Sequence, residues 1–235
     1  MRAPASLLDP STLAFALAFA DDELVIGHRH SEWLGLSPFL EEDLATASIA
    51  QDEMGHARAI YAIVWPDWLE RDAVVPLRRP EDWRSCPLVE MNAAPWERHL
   101  VRHLLYDIVE GHRWEALAVR ARDEFGALAF RADREELWHR RHAFELVVRL
   151  ARLHSFRLQV ELDALWPLVG DLLQGMTGPE HECTLGDLVG TLDAVGLVAP
   201  PTRFVASDRT KRTADFAEVH QSFTEVTALD PSATW

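Results

Sequence analysis

The sequence predicts an all-α protein built around a four-helix bundle, with additional helices towards the C-terminus. Three observations carry this prediction. Apolar residues recur at helical spacing through four long segments, and no segment alternates with period 2 over the length of a strand. A Glu-x-x-His motif also occurs twice, with Glu53 and His56 in the first copy and Glu136 and His139 in the second. The copies are 136 − 53 = 83 residues apart, as expected if each half of the bundle is a helix pair that carries one motif.

The long helices are separated by residues that stop helices. A Gly-Leu-Ser-Pro turn follows the first helix, Pro66 ends the second, and Pro95 is suited to the first turn of the third. A proline-rich connector with short helical pieces is predicted over residues 67–94. The predicted long helices are 13–34, 39–65, 95–122 and one from 125 or 127 to 154.

The C-terminal third is predicted to be helical as well. Residues 157–176 either extend the fourth helix or form a fifth that bends at Pro167. The remaining segments are predicted to be a loop at 175–179, a short helix at 185–195, a break at 199–201, an amphipathic helix at 214–228 and an irregular end at 230–235. We therefore expect one helical domain over residues 1–235, with a core bundle at about 12–155 and a C-terminal helical extension at about 156–235.

Composition excludes several classes of protein. Of 235 residues, 48% are hydrophobic, which indicates a packed globular chain, yet no apolar run reaches the length of a membrane span. The net charge is −15 and the basic residues are scattered, which argues against binding nucleic acid. There are two cysteines and no recognisable signal peptide. A cytoplasmic location is therefore expected.

The repeated motif indicates a metal site. Residues i and i+3 share one face of a helix, so the Glu and His of each copy can bind the same ion. Two such helices, with one carboxylate from each of two others, form the two-metal site of ferritin-like carboxylate proteins. Glu32 and Asp107 precede the two motifs and are candidates for these carboxylates. Glu110, Glu41 and Glu42 are further acidic residues near them.

Residues beside the motifs suggest partners for the histidines. A metal-bound imidazole usually donates its second ring nitrogen to a carboxylate, which fixes the tautomer. Asp52 precedes Glu53 and Glu135 precedes Glu136. We expect a crosswise arrangement in which Asp52 serves His139 and Glu135 serves His56. Five other histidines are interpreted as surface residues or satisfied core residues: His28, His30, His99, His103 and His112.

The sequence around both motifs resembles the catalytic subunit of bacterial phenylacetyl-CoA epoxidase. The similarity lies in Ile-Gly-His-Arg-His-Ser-Glu at 26–32, Gln-Asp-Glu-Met-Gly-His at 51–56 and Glu-Glu-Leu-Trp-His at 135–139, and covers about residues 20–155. It implies a ferritin-like fold and an oxygenase that epoxidises an aromatic acyl-CoA with O2. It also implies two iron ions, with manganese as the alternative metal. The implied ligands are Glu32, Glu53, His56, Asp107, Glu136 and His139.

The chain also resembles the structural subunit of the same oxygenase. That similarity lies in Leu-Val-Ile at 24–26 through Glu32 and Trp33, and in the C-terminal pattern from Phe216 to Trp235. It implies the alternative of a non-catalytic scaffold that pairs with a catalytic sister subunit. Another two-metal carboxylate protein, such as an iron-storage protein or a ribonucleotide-reductase-like oxidase, is a third possibility.

The expected protein partners are inferred from the redox motifs that the sequence lacks and from the family that it resembles. There is no Gly-rich dinucleotide motif and no cysteine cluster, so electrons must come from a separate reductase. We expect a sister subunit or a homodimer, joined through helices of the first half or the C-terminal helix ending at Trp235. An acyl-CoA carries phosphates, and Arg209, Lys211 and Arg212 form the compact basic cluster near the C-terminus. We interpret that cluster as a solvated surface loop.

Overall fold

The computed structural model describes residues 8–65, 75, 77–92, 94–201 and 204–229, without the side chains of 226–228. Within these ranges the chain is helical and contains no strand, which confirms the predicted all-α class. The four longest helices are α1 (Pro10–Ser31), α2 (Leu40–Val64), α4 (Trp96–Arg120) and α5 (Arg122–Leu165). The shorter ones are α3 (Pro87–Glu90), α6 (Val169–Leu172), α7 (Gly178–Ala194) and α8 (Phe216–Leu229).

The bundle consists of two helix hairpins that pack on each other. Helix α1 packs along α2 and α4 along α5, while contacts of α1 with α4 and of α2 with α5 join the hairpins. Gly27 lets α1 approach α2 closely, because a Cβ atom there would lie 3.0 Å from the carbonyl oxygen of Ala50 and 3.0 Å from Cβ of Glu53. The close approach brings the first Glu-x-x-His motif against α1.

Helix boundaries differ from the predicted ones where side chains cap the ends. Helix α1 begins three residues early, because Asp9 accepts hydrogen bonds from the backbone nitrogens of Ser11 and Thr12 at 2.9 and 3.0 Å. Helix α7 begins at Gly178, inside the predicted 175–179 loop. There the Glu180 carboxylate accepts from the Thr177 backbone nitrogen at 2.6 Å, a capping-box contact.

Helix α5 extends the fourth helix, which was one of the two predicted alternatives. It runs for 44 residues, and its only non-helical residue is the kink at His154, with φ −135° and ψ 30°. The expected boundary between bundle and extension at 155/156 thus falls inside one helix, next to this kink. A 3₁₀ turn, Trp166–Leu168, contains Pro167 and ends the helix. Residues 67–74 of the predicted connector and the end at 230–235, with Trp235, lie outside the described residues.

The basic cluster near the C-terminus is not a solvated loop, so that interpretation was wrong. Arg209 is buried and its Nη1 lies 2.9 Å from Oδ2 of Asp22 on α1, while Arg212 forms an ion pair with buried Glu90 at 2.5 Å. Lys211 alone points outwards, with 82% of its side chain exposed. The two arginines tie the C-terminal segment to the bundle. Among the described residues, no helix is long and apolar enough to cross a bilayer.

Candidate metal centre

Each of the four long helices contributes acidic or imidazole side chains to one point inside the bundle. Both Glu-x-x-His motifs face inwards, from α2 and α5, and α1 and α4 add carboxylates from the opposite side. All seven residues are at most 4% exposed. They are Glu23 on α1, Glu53 and His56 on α2, Asp107 and Glu110 on α4, and Glu136 and His139 on α5.

The distances group these side chains around the inner nitrogens of the two motif histidines. Nδ1 of His56 lies 3.3 Å from Oε2 of Glu23, 3.4 Å from Oε1 of Glu110 and 3.6 Å from Oε1 of Glu136. Nδ1 of His139 lies 3.1 Å from Oε1 of Glu136. Glu53 also reaches both rings, at 3.8 Å from Nδ1 of His56 and 3.5 Å from Nδ1 of His139. Glu53 and Glu136 therefore lie between the two imidazoles.

The outer nitrogens of both histidines have carboxylate partners on the opposite motif helix. Nε2 of His56 lies 2.9 Å from Oε2 of Glu135, and Nε2 of His139 lies 3.2 Å from Oδ2 of Asp52. A proton on Nε2, donated to the carboxylate, leaves the lone pair of Nδ1 directed into the cluster. Both pairs cross between α2 and α5, in the pattern expected from the sequence.

The interior of the cluster is rich in polar atoms that make no hydrogen bond to any described residue. Buried polar groups are normally paired, and an unpaired one costs about 1–3 kcal/mol. Here the unpaired atoms converge on one volume, as the donor atoms of a metal centre do. The unpaired atoms are one oxygen of Glu23, both of Glu53, both of Asp107, Oε2 of Glu110, both oxygens of Glu136, and Nδ1 of His56 and His139.

The pKa values of the buried groups also indicate a metal site. Burial, followed by the charges of Glu110 and Glu53, raises the pKa of Glu23 and of Glu136 well above the usual range. Burial also disfavours the imidazolium form of His56. Even so, the neighbouring carboxylates of Glu110, Glu23 and Glu53 favour that form and hold the pKa of His56 well above its usual value. Without metal, bound protons must therefore neutralise the negative charge of the carboxylates. Divalent cations can neutralise the same charge when they bind.

Two polar side chains hold the cluster carboxylates from outside. The Tyr106 hydroxyl donates to Oε1 of Glu23 at 2.5 Å, and the Trp114 indole donates to Oε1 of Glu110 at 3.0 Å. Both donors are buried. In Glu23 the second oxygen, Oε2, is the one that lies near His56, whereas in Glu110 the bonded Oε1 itself lies 3.4 Å from Nδ1 of His56.

The structure brings together five of the six residues that the resemblance implies, and leaves Glu32 apart. Glu32 follows the end of α1, with 32% of its side chain exposed and Oε1 2.7 Å from Nη1 of Arg29. Glu23 occupies the place on α1 that faces the centre. The two are 32 − 23 = 9 residues apart, or about 13.5 Å along a helix.

Spacing is the signal that could have identified Glu23. The gap from Glu23 to Glu53 is 53 − 23 = 30 residues, and the gap from Asp107 to Glu136 is 136 − 107 = 29. Equal gaps are expected if the two hairpins are similar in length and each places its single carboxylate level with its motif. Glu110 could have been found as well, since it lies three residues from Asp107 and shares its face of α4.

A cavity of about 720 Å³ opens beside the centre, between α2 and α5. Its wall includes His139 and both partner carboxylates, Asp52 and Glu135. The other lining residues are apolar, polar or basic: Ala45, Ser48, Ile49, Phe130, Arg131, Arg134, Trp138 and His142. The volume is in the range of small-molecule sites.

Comparison with known proteins agrees with this architecture. Residues 5–183 match the family model described as phenylacetic acid catabolic protein. The chain is also similar to one of the subunits of the 1,2-phenylacetyl-CoA epoxidase of Escherichia coli (strain K12), with 24% identity over 223 residues. That alignment covers 93% of this chain and 83% of the relative. The chain therefore belongs to the phenylacetic acid catabolic protein family.

Proposed function

We propose that this chain is the di-iron component of an oxygenase of phenylacetic acid degradation, which epoxidises an aromatic acyl-CoA with O2. The observation that carries the proposal is the convergence of five buried carboxylates and two inward-facing imidazole nitrogens, with eight carboxylate oxygens and both nitrogens unpaired. A scaffold has no use for such a cluster, because without metal it is costly to bury. Family membership and the similarity to an epoxidase subunit support the choice of substrate class.

The ligand set follows from the distances. One ion would be held by Glu23, Glu53 and His56, and the other by Asp107, Glu136 and His139. Glu53 and Glu136 lie near both imidazoles and would be shared between the ions. Glu110 lies close to ligands of both proposed ions and could bind either ion. Oxygen and nitrogen donors without cysteine favour iron, with manganese as the alternative.

Two iron ions in such a site supply the redox chemistry that activates O2 for insertion of one oxygen atom into an organic substrate. The protein itself orients the two ligand histidines and encloses the cluster. Asp52 and Glu135 hold the outer nitrogens of the two histidines and thereby set the direction of each ring. The buried helices exclude water from the other sides of the cluster.

The cavity between α2 and α5 is the proposed substrate site. Ile49, Phe130 and Trp138 provide apolar and aromatic walls for a phenyl ring, next to the candidate ligand His139. Arg131 and Arg134 line the same cavity and could bind an anionic part of the acyl-CoA.

The alternative is a non-catalytic structural subunit of the same multicomponent oxygenase. Exposed apolar side chains favour some partner, because a lone chain gains nothing by leaving them in water. Leu44 is 65% exposed on α2, and Phe130 and Trp138 are 71% and 64% exposed on α5. These are the helices that line the cavity, so a sister subunit or a second copy could cover it. A separate reductase would supply electrons to the complex.

Metal content separates the two functions. Purified protein would be reconstituted with Fe(II) without oxygen, and iron would be counted by elemental analysis. The wild type should hold about two irons that Glu53→Ala and Glu136→Ala lose while helical content by circular dichroism is unchanged. Glu23→Ala should lose iron as well, whereas Glu32→Ala, just past the end of the same helix, should keep it. Equal iron in the wild type and in all variants would refute the centre.

Activity provides the second test. The iron-loaded protein would be supplied with phenylacetyl-CoA, O2, a reductase and its sister subunits, and the products would be analysed by mass spectrometry. A gain of one oxygen atom that depends on Glu53 supports the oxygenase. If the complex is equally active with Glu53→Ala, the chain is the structural subunit.

A further inference from the structure

Three histidines form a second buried cluster that the carboxylate centre does not use. His30 comes from α1, and His99 and His103 come from successive turns of α4. One ring nitrogen of each lies within 4.8 Å of the other two, and all three side chains are at most 2% exposed. The ring centroids are 5.0 Å apart for His30 and His99, and 4.8 Å apart for His30 and His103. We call these residues the histidine triad.

The sequence predicts surface or satisfied core histidines at these positions, but the triad is buried and only partly hydrogen-bonded. Both ring nitrogens of His30 and Nδ1 of His99 are buried without a hydrogen bond to any described residue. A buried imidazole ordinarily satisfies at least one of its nitrogens. Burial, and then the neighbouring His103, lowers the pKa of both His30 and His99. Both rings are therefore neutral and keep a free lone pair, the form that binds metal.

We propose that the histidine triad binds a single zinc-type transition-metal ion, separate from the carboxylate centre. Three neutral imidazoles without a carboxylate among them are a donor set that suits zinc, with a fourth position left for water. Zn–N bonds of about 2.0–2.1 Å place tetrahedral ligand nitrogens about 3.4 Å apart. The three nitrogens, which lie within 4.8 Å of one another, would thus have to close by at most about 1.4 Å, within the reach of small ring movements.

The surroundings of the triad include one carboxylate and an apolar shell. Oδ2 of Asp107, which also belongs to the carboxylate centre, lies 2.9 Å from Nε2 of His103, so this side chain stands between the triad and that centre. Trp96 stacks on His99 with ring centroids 4.9 Å apart, and the Trp33 ring is 5.3 Å from His99. These indoles shield the triad from water.

One nearby charge opposes a cation, and it is partly neutralised. Arg102 lies between His99 and His103 in sequence and contributes to the low pKa of His30. Its Nη1 donates to the carbonyl oxygen of Met91 at 2.6 Å, and burial followed by Arg29 lowers its own pKa to about 9. Glu32 partly offsets that charge. An ion held by three neutral imidazoles would join α1 to α4.

The test must first remove the other groups of side chains that could bind an ion. Glu53→Ala with Glu136→Ala disables the carboxylate centre. Cys183→Ser disables an exposed group in which Cys183, His112 and Asp187 come close enough to share an ion. In this triple variant, prepared metal-free, Zn²⁺ would be titrated and counted. Co²⁺ would replace it for visible spectroscopy, because tetrahedral Co²⁺ absorbs strongly.

We expect the triple variant to keep one Zn²⁺ per chain and to give tetrahedral Co²⁺ bands. Adding His99→Gln, or separately His30→Gln, should lower the affinity at least tenfold and remove the bands. Adding His112→Gln, on the same helix as His99, should change neither. An unchanged ion in both triad variants, or no ion in a triple variant that is helical by circular dichroism, would overturn the proposal.

A further measurement does not depend on variants that fold. X-ray absorption of Zn²⁺ bound to the wild type after the carboxylate centre has been filled with iron should show scattering from three imidazoles. A shell of oxygen donors alone would contradict the triad. Zinc at the triad and iron at the carboxylates are counted separately, so either proposal can fail while the other stands.

Discussion

Nε2 of His56 lies 2.9 Å from Oε2 of Glu135, and this contact joins the two Glu-x-x-His helices. The mirror contact, from His139 to Asp52, measures 3.2 Å. Each motif therefore provides the residue that orients the histidine of the other. Such an arrangement couples the geometry of both halves of the cluster.

The crosswise contacts make a prediction about metal affinity. Glu135→Gln and Asp52→Asn should each weaken iron binding by about 10–100-fold, because the histidine loses the charge that fixes its tautomer. Competition with a chelator would measure the affinity. Glu145→Gln serves as the control, since Glu145 also lies on α5 but bonds exposed Arg141 at 2.9 Å. Equal affinities in all three variants would mean that the contacts do not support the site.

The buried arginine near the C-terminus makes a prediction about stability. Arg209→Met should lower the free energy of unfolding by about 1.5–3 kcal/mol, because it removes one of two arginines beside buried Asp22, while Arg113 stays 2.9 Å from Oδ2. Lys211→Met should change it by no more than about 0.5 kcal/mol, because that side chain is exposed. Urea denaturation would measure both. Similar stability of the two variants would show that the C-terminal segment is not anchored through Arg209.

The two cysteines should differ in reactivity. Cys86 is fully buried, and burial followed by the charge of Asp22 raises the pKa of its thiol well above the usual value. Cys183 is exposed on α7. A thiol reagent such as Ellman's should therefore react quickly with one thiol in the native protein and with the second only after denaturation. The Cys183→Ser variant should show no fast phase, and a fast phase in that variant would contradict the burial of Cys86.

His28 should make stability depend on pH. Burial, and then Arg29, lowers its pKa to about 4, and its Nε2 lies 2.6 Å from the Ser222 hydroxyl of α8. In the unfolded chain the pKa is about 6.5. Between these values the unfolded state binds more protons, so stability is complete above about pH 6.5 and falls as the pH drops towards 4.

The matching variant is His28→Gln, which keeps a hydrogen-bonding side chain but does not titrate. Between pH 6.5 and 5 the wild type should lose about 1–2 kcal/mol more stability than this variant. Denaturant unfolding at both pH values would measure the difference. Parallel pH profiles for the two proteins would show that His28 is not protonated on unfolding.

Parts of the site could be predicted from the sequence because they depend on residues that are close together along the chain. The Glu-x-x-His pairs follow from the period of a helix, which fixes which side chains share a face without reference to the rest of the fold. The crosswise partners were expected for the same reason, since each lies next to a motif residue. The position of Glu32 outside the cluster could not be read from the sequence, because several acidic residues near α1 fit a hairpin and only the register between α1 and α2 brings Glu23 to the cluster.

The sequence by itself determined the helical class, the two hairpins and the residues of the repeated motif, since these depend on periodicity and turn residues that act over a few positions. Only the tertiary structure decided which carboxylates complete the cluster, that Arg209 is buried against Asp22, and that His30 meets His99 and His103. Those pairings join residues that are far apart along the chain. These pairings depend on how whole helix faces pack together, as where Gly27 lets α1 approach α2. No local sequence pattern specifies that packing.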